Sequence, residues 1–168
     1  MPQELEVWQR GPLPDLIILL QPVAHALLQA REEVEAYMKS FPLELLWSRP
    51  AGVASPGFHL QHLTGVLDRV FTYAKGKKLT EKQFKELEQE GKDTEEGLTV
   101  ELLLERFKIQ VSLAIEQLQN TPEDILQEYR SVGRAGLPST VIGLLFHAAE
   151  HTMRHVGQLM VTVKVLQS

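Results

Sequence analysis

Six histidines and no cysteine bound the chemistry open to this chain. Five of the six fall in two clusters. One is His59-Leu60-Gln61-His62; the other is His147-Ala148-Ala149-Glu150-His151-Thr152-Met153-Arg154-His155. Neutral imidazole is a good ligand for zinc, nickel and similar ions. Two histidines four apart on a helix share a face and can grip one ion together. A third imidazole from another helix would complete a three-histidine site with open positions, the arrangement that does chemistry rather than holding a fold together.

Helix geometry limits what the second cluster can do. Successive members of His147, His151 and His155 differ by about 40° around the axis and about 6 Å along it. The outer pair is therefore about 12 Å apart, while two nitrogens on one ion lie within about 4 Å of each other. All three cannot bind one metal. His151 belongs to the pair whichever neighbour joins it, His147 or His155. Either His59 or His62 can supply the third nitrogen while the other supports it. His25 stands alone and reads as a packed, hydrogen-bonded residue. Several imidazoles converging in a core cost desolvation unless they are partnered, so the clusters call for a metal where His25 does not.

Sharper motif readings fail. His147-Ala-Ala-Glu150-His151 has the H-x-x-E-H order of inverted zinc proteases. That pattern needs a ligand well downstream, and beyond His155 the chain has neither histidine nor acid. No Glu-x-x-His pair exists, which removes the di-iron bundle. There is no G-x-S-x-G elbow, Gly-rich dinucleotide loop or P-loop. The lack of cysteine excludes disulfides, thiolate ligands and a cysteine nucleophile, and it fits a reducing cytoplasm.

The elements that must position the histidines are helical. Leu16, Leu19, Leu20, Val23, Leu27 and Val34 predict a first helix from Leu13 to about Lys39. Ser55-Pro56 opens a second, running to Tyr73 or Lys75 and stopped by Gly76. Phe58, His62, Val66 and Arg69 or Val70 share one broad face of it. Thr80-Glu81-Lys82-Gln83 resembles a capping box for a short polar helix over Glu81–Glu90; the charged stretch Lys75–Glu96 reads as a solvated face. Thr99 caps a third long helix with the stripe Leu102, Leu103, Phe107, Val111, Ala114 and Leu118. Thr121-Pro122-Glu123-Asp124 starts a short segment ending near Tyr129, and Ser131 to Ser139 reads as a loop. The last helix runs from about Ser139-Thr140 to Leu166. No segment alternates convincingly with period two. The fold class is all-α, a four-helix bundle with short additional helices, and residues 1–168 are expected to form one domain.

Composition narrows the partners. A formal net charge of -5 argues against nucleic acid, which needs a basic face. The apolar C-terminal third is interrupted by Glu150, Arg154, Lys164 and three histidines, so it is not a membrane span. The acidic start Met1-Pro2-Gln3-Glu4-Leu5-Glu6 is not a secretory signal. A small-molecule substrate in the cytoplasm is the expectation.

These residues carry a family resemblance. The closing motif His151-Thr-Met-Arg-His155-Val-Gly157-Gln158-Leu159 reads H-x-x-x-H-x-G-Q. With the opening motif Pro56-Gly57-Phe58-His59-Leu60-Gln61-His62-Leu63 and the approach Trp47-Ser-Arg-Pro50-Ala-Gly52, it resembles the DinB/YfiT superfamily of metalloenzymes over residues 13–166. The resemblance implies a four-helix bundle holding a divalent metal, zinc or nickel, on His62, His151 and His155. It makes His59 and His147 pocket or supporting residues. Gly157 would permit close helix approach, and Gln158 would hydrogen-bond near the site. It also implies a homodimer and, from members of known activity, thiol-dependent transferases and isomerases that use a low-molecular-weight thiol. Two departures bear on the substrate: Arg154 and Val156 flank His155 where the family often has a further histidine or arginine, and Val53-Ala54 replace a usual tryptophan.

The function expected is a metal-dependent transferase or hydrolase, in which a divalent Lewis acid activates water or a thiol. His59, His147, Glu150, Arg154 and Gln158 are the pocket candidates. No residue stands out as the general base. The rival is a non-catalytic helical bundle that binds a partner or acts in a stress response, with a structural or vestigial metal site.

Overall fold

The computed structural model describes residues 5–168; Met1 to Glu4 of the acidic start lie outside the described residues. The helices are α1 (Gln21–Met38), α2 (Pro56–Ala74), α3 (Glu81–Gln89), α4 (Val100–Gln119) and α5 (Val141–Leu166). Helix α5 packs against α1 and α2, and α4 covers the same two helices from the opposite side. The four long helices close a bundle around Leu27, Leu63, Phe107, Leu145 and Leu159, all fully buried. The architecture is all-α, as the periodicity predicts.

Side-chain caps start most of the helices where the sequence places them. The hydroxyls of Ser55, Thr80, Thr99 and Thr140 accept from the backbone N–H of Phe58, Gln83, Leu102 and Gly143. Thr80 and Gln83 form the reciprocal capping box. Gly76 takes a left-handed φ of 71° just past α2.

Two expectations are corrected. The first helix begins at Gln21, not Leu13, after a single 3-10 turn at Ile18–Leu20. Asp15 sits at φ 57°, which no helix tolerates, and the Gln21 amide binds Leu13 N–H, Leu13 C=O and Leu16 C=O. Pro22 then suits the first turn. The apolar spacing of Leu16 and Leu19 belongs to this stapled lead-in. The second correction is the loop expected over Ser131 to Ser139. It is a hairpin of β1 (Tyr129–Val132) and β2 (Leu137–Thr140), turned through Gly133 and Gly136, both at positive φ. Four-residue strands with Pro138 in one of them carry almost no alternation signal. The hairpin is tied to α2 by Arg130 Nε, which donates to Ala74 C=O at 2.8 Å.

Among the described residues no helix is long and apolar enough to cross a membrane.

Candidate metal centre

Helices α2 and α5 lie side by side and bring the two histidine clusters face to face. The start of α2 is fixed tightly. Gly57 N–H donates to Leu46 C=O, and its Cα lies under the Trp47 indole, so that an added Cβ would sit 2.5 Å from the ring. Trp47 thus packs an aromatic ring against the first turn of α2. One turn later His59 and His62 reach α5.

His62 Nε2 lies 3.0 Å from His151 Nε2. The rings of His62 and His155 have centroids 4.4 Å apart, and those of His151 and His155 4.7 Å. One nitrogen from each of His62, His151 and His155 falls within 4.8 Å of the others. Two imidazole nitrogens on one ion with bonds of about 2.1 Å stand about 3.0–3.5 Å apart, so the trio is spaced to hold a metal after small side-chain shifts. His151 Nδ1 is buried without a hydrogen-bond partner.

The remaining nitrogens of two members are occupied from outside. His62 Nδ1 lies 2.7 Å from Glu90 Oε2, and His155 Nδ1 lies 3.1 Å from His59 Nδ1. An ionised carboxylate only accepts, so His62 Nδ1 carries a proton, and Nε2 is the nitrogen that faces His151. Ligand histidines are commonly fixed in this way. Phe58 stacks on His62 with centroids 5.2 Å apart and planes at 10°.

The electrostatics favour neutral rings. Burial lowers the pKa of His59 to about 4, helped by the charge of His62. Burial lowers His155 to about 4 as well, with His62, His151, His59 and Arg154 adding repulsion. Burial also lowers His151, reinforced by His62, His147 and Arg154 against the pull of Glu150. On His59 and His155 the protons therefore leave well below neutral pH. Burial alone would raise Glu90, but the hydrogen bond from His62 and the charge of Arg69 outweigh it and hold the carboxyl below its usual range.

Glu90 was not legible as a site residue. The stretch expected to be wholly solvated turns Gln83 and Glu90 inward. Arg69 Nη1 lies 2.7 Å from Glu90 Oε1, with only 10% and 7% of the two side chains exposed. Gly65 makes the room: a Cβ there would come within 2.5 Å of both groups. The one available signal was an arginine two turns from His62 on the same face of α2, which demands an anion without naming it.

His147, Glu150 and Arg154 form a separate rim on α5. Glu150 accepts from Arg154 and lies 2.8 Å from His147 Nδ1. Burial would raise Glu150, but Arg154 and His147 win and lower it. His147, Glu150 and His151 form a second group whose donor atoms come within 4.8 Å, but the Arg154 guanidinium already occupies that carboxylate. Gln158 is exposed and makes no hydrogen bond to the histidines. The close-approach role expected of Gly157 is corrected: a Cβ there would meet nothing within 4 Å. His25 lies outside the cluster, 3.2 Å from Gly11 C=O.

A family model of the DinB superfamily matches residues 26–159. The chain belongs to the DinB superfamily. The match runs from within α1 to within α5 and includes all five clustered histidines. Comparison with curated proteins finds no match. As a DinB-superfamily chain, it carries on α2 and α5 a three-histidine group that could bind a metal ion.

Proposed function

We propose that this DinB-superfamily chain is a metal-dependent enzyme, a transferase or hydrolase acting on a small molecule. Three histidines, His62, His151 and His155, would hold a divalent ion, zinc or nickel. The observation that carries the reading is the convergence of three imidazole nitrogens within 4.8 Å, with the outer nitrogens of two of the rings engaged elsewhere. When bound, the ion would supply Lewis acidity and make a water or a small thiol more acidic. A set of three protein ligands leaves positions open for such a molecule.

The chain's own residues have definite tasks in this reading. Glu90 holds the proton on His62 Nδ1, so the ring keeps its tautomer. Phe58 covers one face of His62 and excludes water from it. His59 braces His155. Arg154 and His147 stand at the exposed rim with Glu150 between them, where they can meet the polar part of a substrate. Glu150 is held anionic by both neighbours, which makes it a weak proton acceptor. A chain without cysteine has no thiol of its own to compete with a low-molecular-weight thiol at the site.

The test is a thiol-transfer and ester-hydrolysis screen on protein purified without an affinity tag, with and without chelator. Turnover that a chelator abolishes, that zinc or nickel restores and that His151→Ala lacks supports the enzyme. Bound metal with no turnover in any arm favours the non-catalytic bundle, whose metal would only stabilise the fold.

A further inference from the structure

Glu90 ends α3, a helix with little reason of its own to stay in place. Of its nine residues only Gln83 is buried. The segment is held on α2 by polar contacts. Gln83 Nε2 donates to Asp68 Oδ2 at 2.7 Å and to Thr72 Oγ1 at 2.8 Å. Gly91 N–H donates to Gln61 Oε1 at 2.7 Å. Between these clasps sits Glu90, whose two oxygens go to different groups, His62 and Arg69.

That division is informative. Burying a carboxylate costs several kcal/mol unless it is well paired. Arginine usually satisfies one through both of its oxygens. Here Arg69 Nη1 lies 2.7 Å from Oε1 as an ion pair, and that buried oxygen accepts no hydrogen bond from the described residues, while Oε2 lies 2.7 Å from His62 Nδ1. Gly65 leaves α2 without the side chain that would push Arg69 and Glu90 apart. The arrangement places a fixed negative charge behind one ring of the three-histidine group and delivers it from a segment that is otherwise solvated.

We propose that Glu90, braced by Arg69, is a positioning residue that orients His62 for the metal and thereby couples metal binding to the docking of residues 81–92 on α2. The inference rests on the metal reading above. The coupling is reciprocal: whatever metal gains from the docked segment, the segment gains from metal.

The experiment uses the full chain, with zinc alone as the probe. Zinc affinity is measured by competition with a chromophoric chelator, and amide hydrogen exchange is followed across residues 81–92. Glu90→Ala is expected to weaken zinc binding by about 10–100-fold. Glu90→Gln keeps an acceptor oxygen but loses the charge, and its affinity falls between that of Glu90→Ala and the parent. Zinc slows exchange across 81–92 in the parent, and less so in both variants. Affinities within about twofold of the parent in both variants, or exchange across 81–92 indifferent to zinc, would overturn the inference while leaving the metal reading intact. If Glu90→Ala does not fold, Glu90→Gln carries the affinity measurement. A parent that binds no zinc sinks the metal reading, and this inference falls with it.

Discussion

His59 Nδ1 and His155 Nδ1 face each other at 3.1 Å across the boundary between α2 and α5. One of the two must donate and the other accept, so each fixes the other's tautomer. His59 is 2% exposed and lies outside the metal-competent trio. Its value is in holding His155 through Nδ1. His59→Ala should destabilise the fold by about 2–3 kcal/mol through the cavity and the lost partner. It should also weaken zinc binding by about 10-fold. Urea midpoints and chelator competition on the same preparation check both halves; unchanged zinc affinity would show that His59 only packs.

The same burial makes metal-free stability depend on pH. His59 and His155 have folded pKa values of about 4 against 6.5 for an ordinary histidine. Between those values the unfolded chain binds protons that the folded chain refuses, so stability falls as pH falls. The loss begins as pH drops through 6.5 and is complete below about 4. For the deeply buried His59 it amounts to about 3 kcal/mol. Urea unfolding of metal-free protein at intervals from pH 8 to 4 should trace the decline, and His59→Leu should flatten part of it. A flat profile over that window contradicts the assignment of neutral buried rings.

Gly65 separates support of the site from stability of the fold. A Cβ at this position would lie within 2.5 Å of Arg69 Nη1 and Glu90 Oε1, both at the ends of flexible side chains. Alanine also gains about 1 kcal/mol in helix propensity. Gly65→Ala should therefore displace Arg69 from Glu90 and lower zinc affinity severalfold, with a loss of stability smaller than that of Arg69→Met because the helix gains propensity and Arg69 keeps its charge nearby. A large loss of stability with unchanged affinity would mean that the glycine serves packing alone.

Removing one side of the buried ion pair should be costly where removing both is not. Arg69→Met leaves the buried Glu90 without its guanidinium partner and is expected to cost about 3 kcal/mol. The double change Arg69→Met with Glu90→Leu should recover most of that loss while still binding zinc more weakly than the parent. Thermal melts of the two single variants and the double variant give the coupling directly.

How far the sequence could be read depended on how local each signal was. The hydroxyls of Ser55, Thr99 and Thr140 and the glycine at position 76 act within one turn of their own position, so the bounds of α2, α4 and α5 were legible. The start of α1 was not, because Gln21 reaches back eight residues to hold Leu13, and periodicity is blind to such a staple. The hairpin at 129–140 was too short to alternate. In the site, helix spacing reduced His147, His151 and His155 to two pairs but could not choose between them. Nor could it choose between His59 and His62. The family motif named a trio, and the structure brings the nitrogens of those three residues together. Glu90 and Gly65 stayed hidden because a contact between a polar helix and α2 exists only in the folded chain.

Metal occupancy at the three histidines is the most direct test of the account. Protein purified without a tag and reconstituted with zinc or nickel should hold one ion per chain, and anomalous scattering should locate it between His62, His151 and His155. His62→Ala, His151→Ala and His155→Ala should each lose it, while His147→Ala should keep it. No ion after reconstitution, or an ion that survives His151→Ala, would contradict the account.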